Sequence, residues 1–283
     1  MLRIAVQSKG RLYEDTMALL AEADIKVSSS KRTLLVQSSN FPVEVLYLRD
    51  DDIPQAVSMG VADLGVVGLN EVEEKGFDVE IVHRLGFGKC RLSLAVPKTE
   101  PYDGLSYFEG KRVATSYPVI LSRFFREKGI AAEIHEIAGS VEIAPSVGMA
   151  DAIFDIVSSG GTLVTNGLKE VEQVLFSEAV LIGGRALSDD KRQILSQLLF
   201  RIEAVERSRG LKYVLMNLPH AKIPEAVRIL PGMKSPTILP LAQEGWSSMH
   251  VVINERDLWS KIEQLKAIGA EDILVLSLEK MIR

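Results

Sequence analysis

Five small residues in a row, Ser158-Ser159-Gly160-Gly161-Thr162, follow an apolar stretch that carries an aspartate, Ala152-Ile153-Phe154-Asp155. The pattern reads as a buried strand ending at Asp155, a loop, and a helix that starts near Thr162. Consecutive backbone N–H groups at a helix N-terminus, unobstructed by side chains, can cradle a phosphate, and the Ser and Thr hydroxyls would add donors. Glycine permits the close approach and the positive φ that such a loop needs. Taken alone, the five residues describe an ordinary strand-to-helix turn equally well. The chain also lacks a G-x-G-x-x-G at a first strand and the lysine of a P-loop. The acidic pair Glu142 and Asp155 changes the balance. Carboxylates beside a phosphate are repulsive unless they hold sugar hydroxyls or a magnesium ion, and a sugar bearing pyrophosphate would use both.

The elements that must position these residues alternate between strand and helix. Leu2 to Val6 is a strand, Gln7-Ser8-Lys9-Gly10-Arg11 a polar loop, and Leu12, Met17, Leu19, Leu20 and Ala23 give a helical stripe. Strands are expected at Thr33–Gln37 and Val43–Leu48. Arg49-Asp50-Asp51-Asp52-Ile53-Pro54 is then a loop ahead of a proline-started helix, and Gly60 to Gly68 holds a buried strand. The alternation predicts an α/β domain with a largely parallel sheet. A second unit opens near Leu92–Pro97, with strands at Arg112–Thr115, Ala132–Ile137 and Ala152–Val157 and helices at Val119–Lys128 and Val141–Val147. After Thr162 a helix and a strand, Ala179–Ile182, return to the first unit. The expected division is residues 1–95 with 168–208 as one lobe and 96–167 as the other. Two crossings imply a cleft, the usual place for a ligand. Asp189 to Arg209 forms an amphipathic helix. Beyond it the order strand, helix, strand, strand, helix, strand over residues 209–283 is the ferredoxin-like βαββαβ unit, with few chemical groups and a regulatory or assembly role.

Composition narrows the class. A chain of 283 residues suggests two or three domains, and one this long needs neither disulfides nor a structural metal for its core. The single cysteine, Cys90, fits a reducing cytoplasm. A net charge of −5 argues against nucleic acid as the main partner. No apolar run approaches a membrane span, and no leader pattern opens the chain. His83, His135, His220 and His250 are scattered without metal spacing, and Trp246 and Trp259 read as packing residues.

The pattern Glu142, Gly148, Ala150, Ile153, Asp155-Ile156, Ser159-Gly160-Gly161-Thr162-Leu163 resembles the signature of the ATP phosphoribosyltransferase family, whose members start histidine biosynthesis. Further matching motifs run the whole length, from Ser8-Lys9-Gly10-Arg11-Leu12 and Cys90-Arg91-Leu92 to Ser235-Pro236-Thr237-Ile238 and Lys266-Ala267-Ile268-Gly269-Ala270. The last two are similar to the long form of the family. The resemblance implies an α/β catalytic part of the two-lobed, periplasmic-binding-protein-like (type II) kind, with a C-terminal ferredoxin-like domain.

It further implies that adenine N1 of ATP attacks the anomeric carbon of phosphoribosyl pyrophosphate (PRPP), with Mg2+ on the departing pyrophosphate. By the same resemblance, Ser158, Ser159, Gly160, Gly161 and Thr162 would hold the 5-phosphate of PRPP. Glu142 and Asp155 would hold its hydroxyls and contribute to the metal. Lys9, Gly10, Arg11 and Arg49 would meet ATP phosphates or pyrophosphate, and Asp63 and Tyr117 the adenine or ribose. Asn217 and Thr237 would contact inhibitory histidine, and the long form implies a homo-oligomer, dimer to hexamer. No residue is marked out as a general base. Two rival readings remain at this point: a solute-binding protein of the same two-lobed architecture, and a different phosphoribosyltransferase.

Overall fold

The computed structural model describes residues 1–28, 33–184 and 186–282. Two compact units divide the chain, Met1–Leu199 and Phe200–Arg283. The first contains β1 (Leu2–Gln7), α1 (Arg11–Glu22), β2 (Leu35–Gln37), β3 (Val43–Leu48), α2 (Ile53–Ser58), β4 (Leu64–Gly68), α3 (Leu69–Lys75) and β5 (Glu80–Arg84). There follow β6 (Cys90–Pro97), β7 (Arg112–Thr115), α4 (Pro118–Lys128), β8 (Glu133–Glu136), β9 (Ala152–Val157), α5 (Gly161–Thr165), β10 (Leu168–Ser177) and β11 (Ala179–Gly183). Helix α6 (Asp189–Ser208) runs through the unit boundary.

These strands form two sheets. The first has the order β2-β3-β1-β4-β11-β5, with β3, β1 and β4 parallel. The second has the order β10-β6-β9-β7-β8, with β9, β7 and β8 parallel. Burial on both faces explains the continuous apolar runs: Leu64 and Val67 in β4, and Ala152, Ile153 and Phe154 in β9, are fully enclosed. One face of the second sheet packs Phe154, Leu92 and Leu94 against Phe108, Leu121 and Phe125. The other packs Ile153 and Val157 against Val141, Ala144 and Leu163.

The chain passes between the sheets at Leu85–Lys89 and at Glu178, not at 95/96 and 167/168 as the sequence reading has it, because β6 and β10 both belong to the second sheet. The two crossings are bonded to each other: Leu85 N–H donates to the Ala179 carbonyl and Ala179 N–H to that of Phe87, at 3.0 and 2.9 Å. The expected helix at Val141–Val147 shrinks to a 3-10 turn, Val141–Ile143. Pro145 lacks the N–H a continuing helix would need and crowds its preceding turn.

The second unit contains β12 (Leu211–Pro219), α7 (Ile223–Ile229), β13 (Thr237–Pro240), β14 (Trp246–Asn254), α8 (Leu258–Ala267) and β15 (Glu271–Ser277). Its sheet, β13-β14-β12-β15, is antiparallel throughout. Val214, Met216, Met249 and Val251 face α7 and α8. Period-two alternation places Tyr213, Asn217, Ser248 and His250 on the opposite face. Among the described residues no helix is long and apolar enough to cross a membrane.

Candidate active site

The carboxyl ends of β1 and β4 from the first sheet, and of β9 from the second, open into one cleft of about 490 Å³. Ligands of open α/β sheets bind at this edge, where strands give way to loops and helix N-termini. Gln7, Arg11, Asp50, Asn70 and Glu71 line it from the first lobe, Lys89 from a crossing with Cys90 and Ala179 from the strands that adjoin the crossings, and Tyr117, Ile156 and Ser158 from the second lobe.

The first loop is set by Gly10, whose φ of 95° is closed to most side chains and turns the chain from β1 into α1. Arg11, the first residue of α1, therefore reaches the cleft. Lys9 is exposed on the same loop. Across the cleft, Gly160 at φ 80° is the N-cap of α5. Gly161 and Thr162 open that helix, where their N–H groups have no acceptor within the helix. The Ser158 carbonyl accepts from Arg91 at 3.2 Å, and Glu170 grips the same guanidinium through Nε and Nη2.

Asp155 lies within β9, two residues before its end, not at the end. It shares a face with Ile153 and Val157, the face covered by the Val141–Ile143 turn, and this brings Glu142 close enough for its charge to act on Asp155. Burial pushes the Asp155 carboxyl up to about 6, and Glu142 pushes the same way against the Ile156 N–H, which donates to it at 2.7 Å. The acidic pair and the small-residue loop are thus neighbours.

Asp63 does not join them. It precedes β4 and lies at the opposite end of the sheet, about 16 Å from Gly68 at the strand's 3.3 Å rise. There it accepts from Arg3 N–H at 2.9 Å and pairs with Lys191 at 2.7 Å, a structural role. Arg49 follows β3 at the cleft end of the sheet, is 78% exposed and is paired with Asp51 at 3.2 Å; the neighbouring Asp50 is the residue that lines the cleft. In the second unit, Asn217 and Thr237 lie on one sheet face. The registers Asn217–Ser248 and Thr237–His250 put Ser248 and His250 between them. Asn217 donates to Asp272 at 3.1 Å, and His250 is held by Tyr213 and Ser248.

The sequence reading missed a polar network on the cleft floor. Asn70 donates through Nδ2 to the Tyr117 hydroxyl (3.2 Å) and to Glu71 (3.1 Å), and its Oδ1 accepts from Ser177 at 2.8 Å. Burial raises the Glu71 carboxyl, with Asp50 pushing the same way, and burial together with Glu71 raises the Tyr117 hydroxyl. The available signal was positional: Asn70 and Glu71 come two and three residues after Gly68, the glycine that ends a buried strand.

The ATP phosphoribosyltransferase family model matches residues 49–204, and the model for the C-terminal domain of the same family matches 208–280. An ATP phosphoribosyltransferase of Bacteroides thetaiotaomicron is 65% identical over the full length of both chains, and that of Cytophaga hutchinsonii 51% identical over all of this chain and 99% of its own. Among solved structures, an ATP phosphoribosyl transferase (HisG:HisZ) complex from Thermotoga maritima aligns with a TM-score of 0.62 at 28% identity, covering 72% of this chain and 99% of that one. A histidine kinase sensor domain similar to periplasmic binding proteins shares the fold alone, with a TM-score of 0.50 at 10% identity over 74% of this chain and 91% of its own. A cleft lined by Arg11, Tyr117 and Ser158, with the acidic pair beside the Ser158 loop, is thus found in a chain that matches one family along its length: it belongs to the ATP phosphoribosyltransferases.

Proposed function

We propose that the cleft between the two sheets is where the family's reaction, the first step of histidine biosynthesis, takes place. Adenine N1 of ATP attacks the anomeric carbon of PRPP, and pyrophosphate leaves with the electrons of the broken C–O bond. The supporting observation is convergence: Arg11 from one lobe and Ser158 from the other line a single cleft, with Asp155 and Glu142 beside the Ser158 loop. In this reading Ser158 to Thr162 hold the 5-phosphate, Glu142 and Asp155 the ribose hydroxyls, and Lys9, Gly10, Arg11 and Arg49 the triphosphate or the leaving pyrophosphate. Tyr117 stands beside the adenine or ribose.

Adenine N1 carries a free lone pair, so no residue need remove a proton before attack. The chain's task is to align two polyanions and to stabilise the charge that grows on the leaving group. Among the described residues no three carboxylate, imidazole or thiol side chains converge. A magnesium ion here would be shared between Glu142, Asp155 and the substrate's own phosphate oxygens, and would supply charge neutralisation to the pyrophosphate. We assign the exposed sheet face at Asn217 and Thr237 to inhibitory histidine, acting through a change of domain or subunit arrangement in a homo-oligomer, dimer to hexamer, of the cytoplasm. Steady-state kinetics test the cleft assignment. Thr162→Val and Asp155→Asn should lower kcat/KM for PRPP by about tenfold or more with KM for ATP within about twofold, and Arg11→Ala should weaken ATP instead. Equal losses for both substrates in all three variants would contradict it.

A further inference from the structure

Glu71 is 8% exposed and faces the cleft. Its Oε1 accepts from Asn70 at 3.1 Å, the Tyr117 hydroxyl bonds to the same carboxylate, and among the described residues no Lys or Arg pairs with it. A carboxylate offers about four lone-pair positions, so two contacts leave acceptor capacity on the cleft side. Burying a carboxylate without an ion-pair partner is costly; Asp50 and Asp51 add to the cost, and Lys75 on the same helix offsets part of it. In a site for two polyanions such a group is repulsive to every phosphate, so it must face the part of the substrates that is not negative.

The proposed reaction creates only two such parts. The ribose ring carries positive charge in the transition state, and Asp155 and Glu142 stand beside the loop assigned to that sugar. The other is adenine. When the N1 lone pair forms the N1–C1 bond and the C1–O bond to pyrophosphate breaks, the adenine ring becomes a cation whose charge is shared between N1 and the exocyclic N6 amino group. We propose that Glu71 accepts a hydrogen bond from the N6 amino group of ATP and stabilises the amidinium charge that develops on N1 and N6 during transfer. No proton need leave N6 in this step. Asn70, fixed by Ser177 at the crossing, and Tyr117, from the opposite lobe, hold the carboxylate in place. The arrangement also accounts for selectivity toward a 6-aminopurine, because a 6-oxopurine would turn a carbonyl oxygen toward a buried carboxylate and present a protonated N1.

This assignment rests on the cleft being the site of adenine attack. The test crosses an enzyme change with a substrate change in the full-length protein: wild type and Glu71→Gln, each with ATP and with purine riboside triphosphate, which keeps N1 and lacks the 6-amino group. The lower reactivity of that N1 is common to both enzymes and cancels. The expected results are a fall in kcat of about 100-fold for Glu71→Gln with ATP, an unchanged KM for PRPP, and a further loss on removing the amino group at least tenfold smaller than in wild type. Losses that simply multiply would overturn the proposal, as would a Glu71→Gln enzyme as fast as wild type. Glu71→Asp, which keeps the charge and withdraws it by one methylene, gives the same cycle should the glutamine variant fail to fold. Wild type that forms no product from ATP and PRPP would instead refute the reading of the cleft itself.

Discussion

Glu74 offers a sharp stability test, because one buried carboxylate ties the two lobes of the first unit together. It lies on α3, is 8% exposed, and accepts the N–H groups of Val119 and Ile120 on α4, each at 2.9 Å. Pro118 opens α4, so these are two of the donors that the helix leaves unpaired at its positive end. Charge-assisted bonds contribute about 1.5–3 kcal/mol each, and the Ile120 donor is buried. Glu74→Ala should therefore cost about 3–4 kcal/mol, and Glu74→Gln, which keeps a carbonyl for one donor, about half that. At about 2–4 °C per kcal/mol for a unit of this size, alanine lowers its Tm by about 6–16 °C. Differential scanning calorimetry of the full chain reads this shift. A loss under about 2 °C for the alanine variant would refute the view that Glu74 braces α4.

Three further outcomes follow from the same geometry. Arg91 holds the Glu170 carboxyl below its usual range and bonds to the Ser158 carbonyl, so Glu170→Gln should raise KM for PRPP several-fold with KM for ATP unchanged. The stability Glu170 contributes is present above its unfolded pKa of 4.5 and lost as pH falls through the lower native value, so urea unfolding at pH 7 and near pH 3 should show a larger gap between the proteins at pH 7. For Asp155 the sign reverses: a carboxyl pushed up to about 6 binds protons more readily when folded, so stability falls as pH rises from 3.8 through 6. Asp155→Asn should be more stable than wild type at pH 8 by up to about 3 kcal/mol while losing most PRPP turnover, and equal stability at pH 8 would argue against a strained carboxylate. Thr237→Ala should weaken histidine inhibition at least about tenfold with kcat unchanged, and unchanged inhibition would move the effector site elsewhere.

Most of the elements around the site were legible because their patterns are local. β1, β4 and β9 announce themselves as short apolar runs, and Pro118 and Gly129 bracket α4. β10 was not legible for a physical reason. Two register shifts, between Glu170 and Glu172 and between Gln173 and Leu175, put Val171, Val174 and Leu175 on one packed face while Leu168 packs on the other, and the resulting spacing 168, 171, 174, 175 mimics a helix in sequence. The lobe boundaries slipped with it. Asp63 was misplaced because a strand's two ends look alike in sequence, yet only the Gly68 end faces the cleft. Glu71 and Asn70 escaped notice because their role depends on Tyr117 and Ser177, 46 and 107 positions away from them respectively, and no local pattern encodes such a meeting.

The central claim, that this cleft joins ATP to PRPP through adenine N1, is tested most directly by incubating the purified chain with ATP, PRPP, magnesium and pyrophosphatase and determining the structure of the nucleotide product. The account predicts an ATP derivative with ribosyl phosphate on N1, absorbing at longer wavelength than ATP, formed by wild type and at least about tenfold more slowly by Asp155→Asn. Unchanged ATP and PRPP, or a product substituted at another adenine nitrogen, would contradict it.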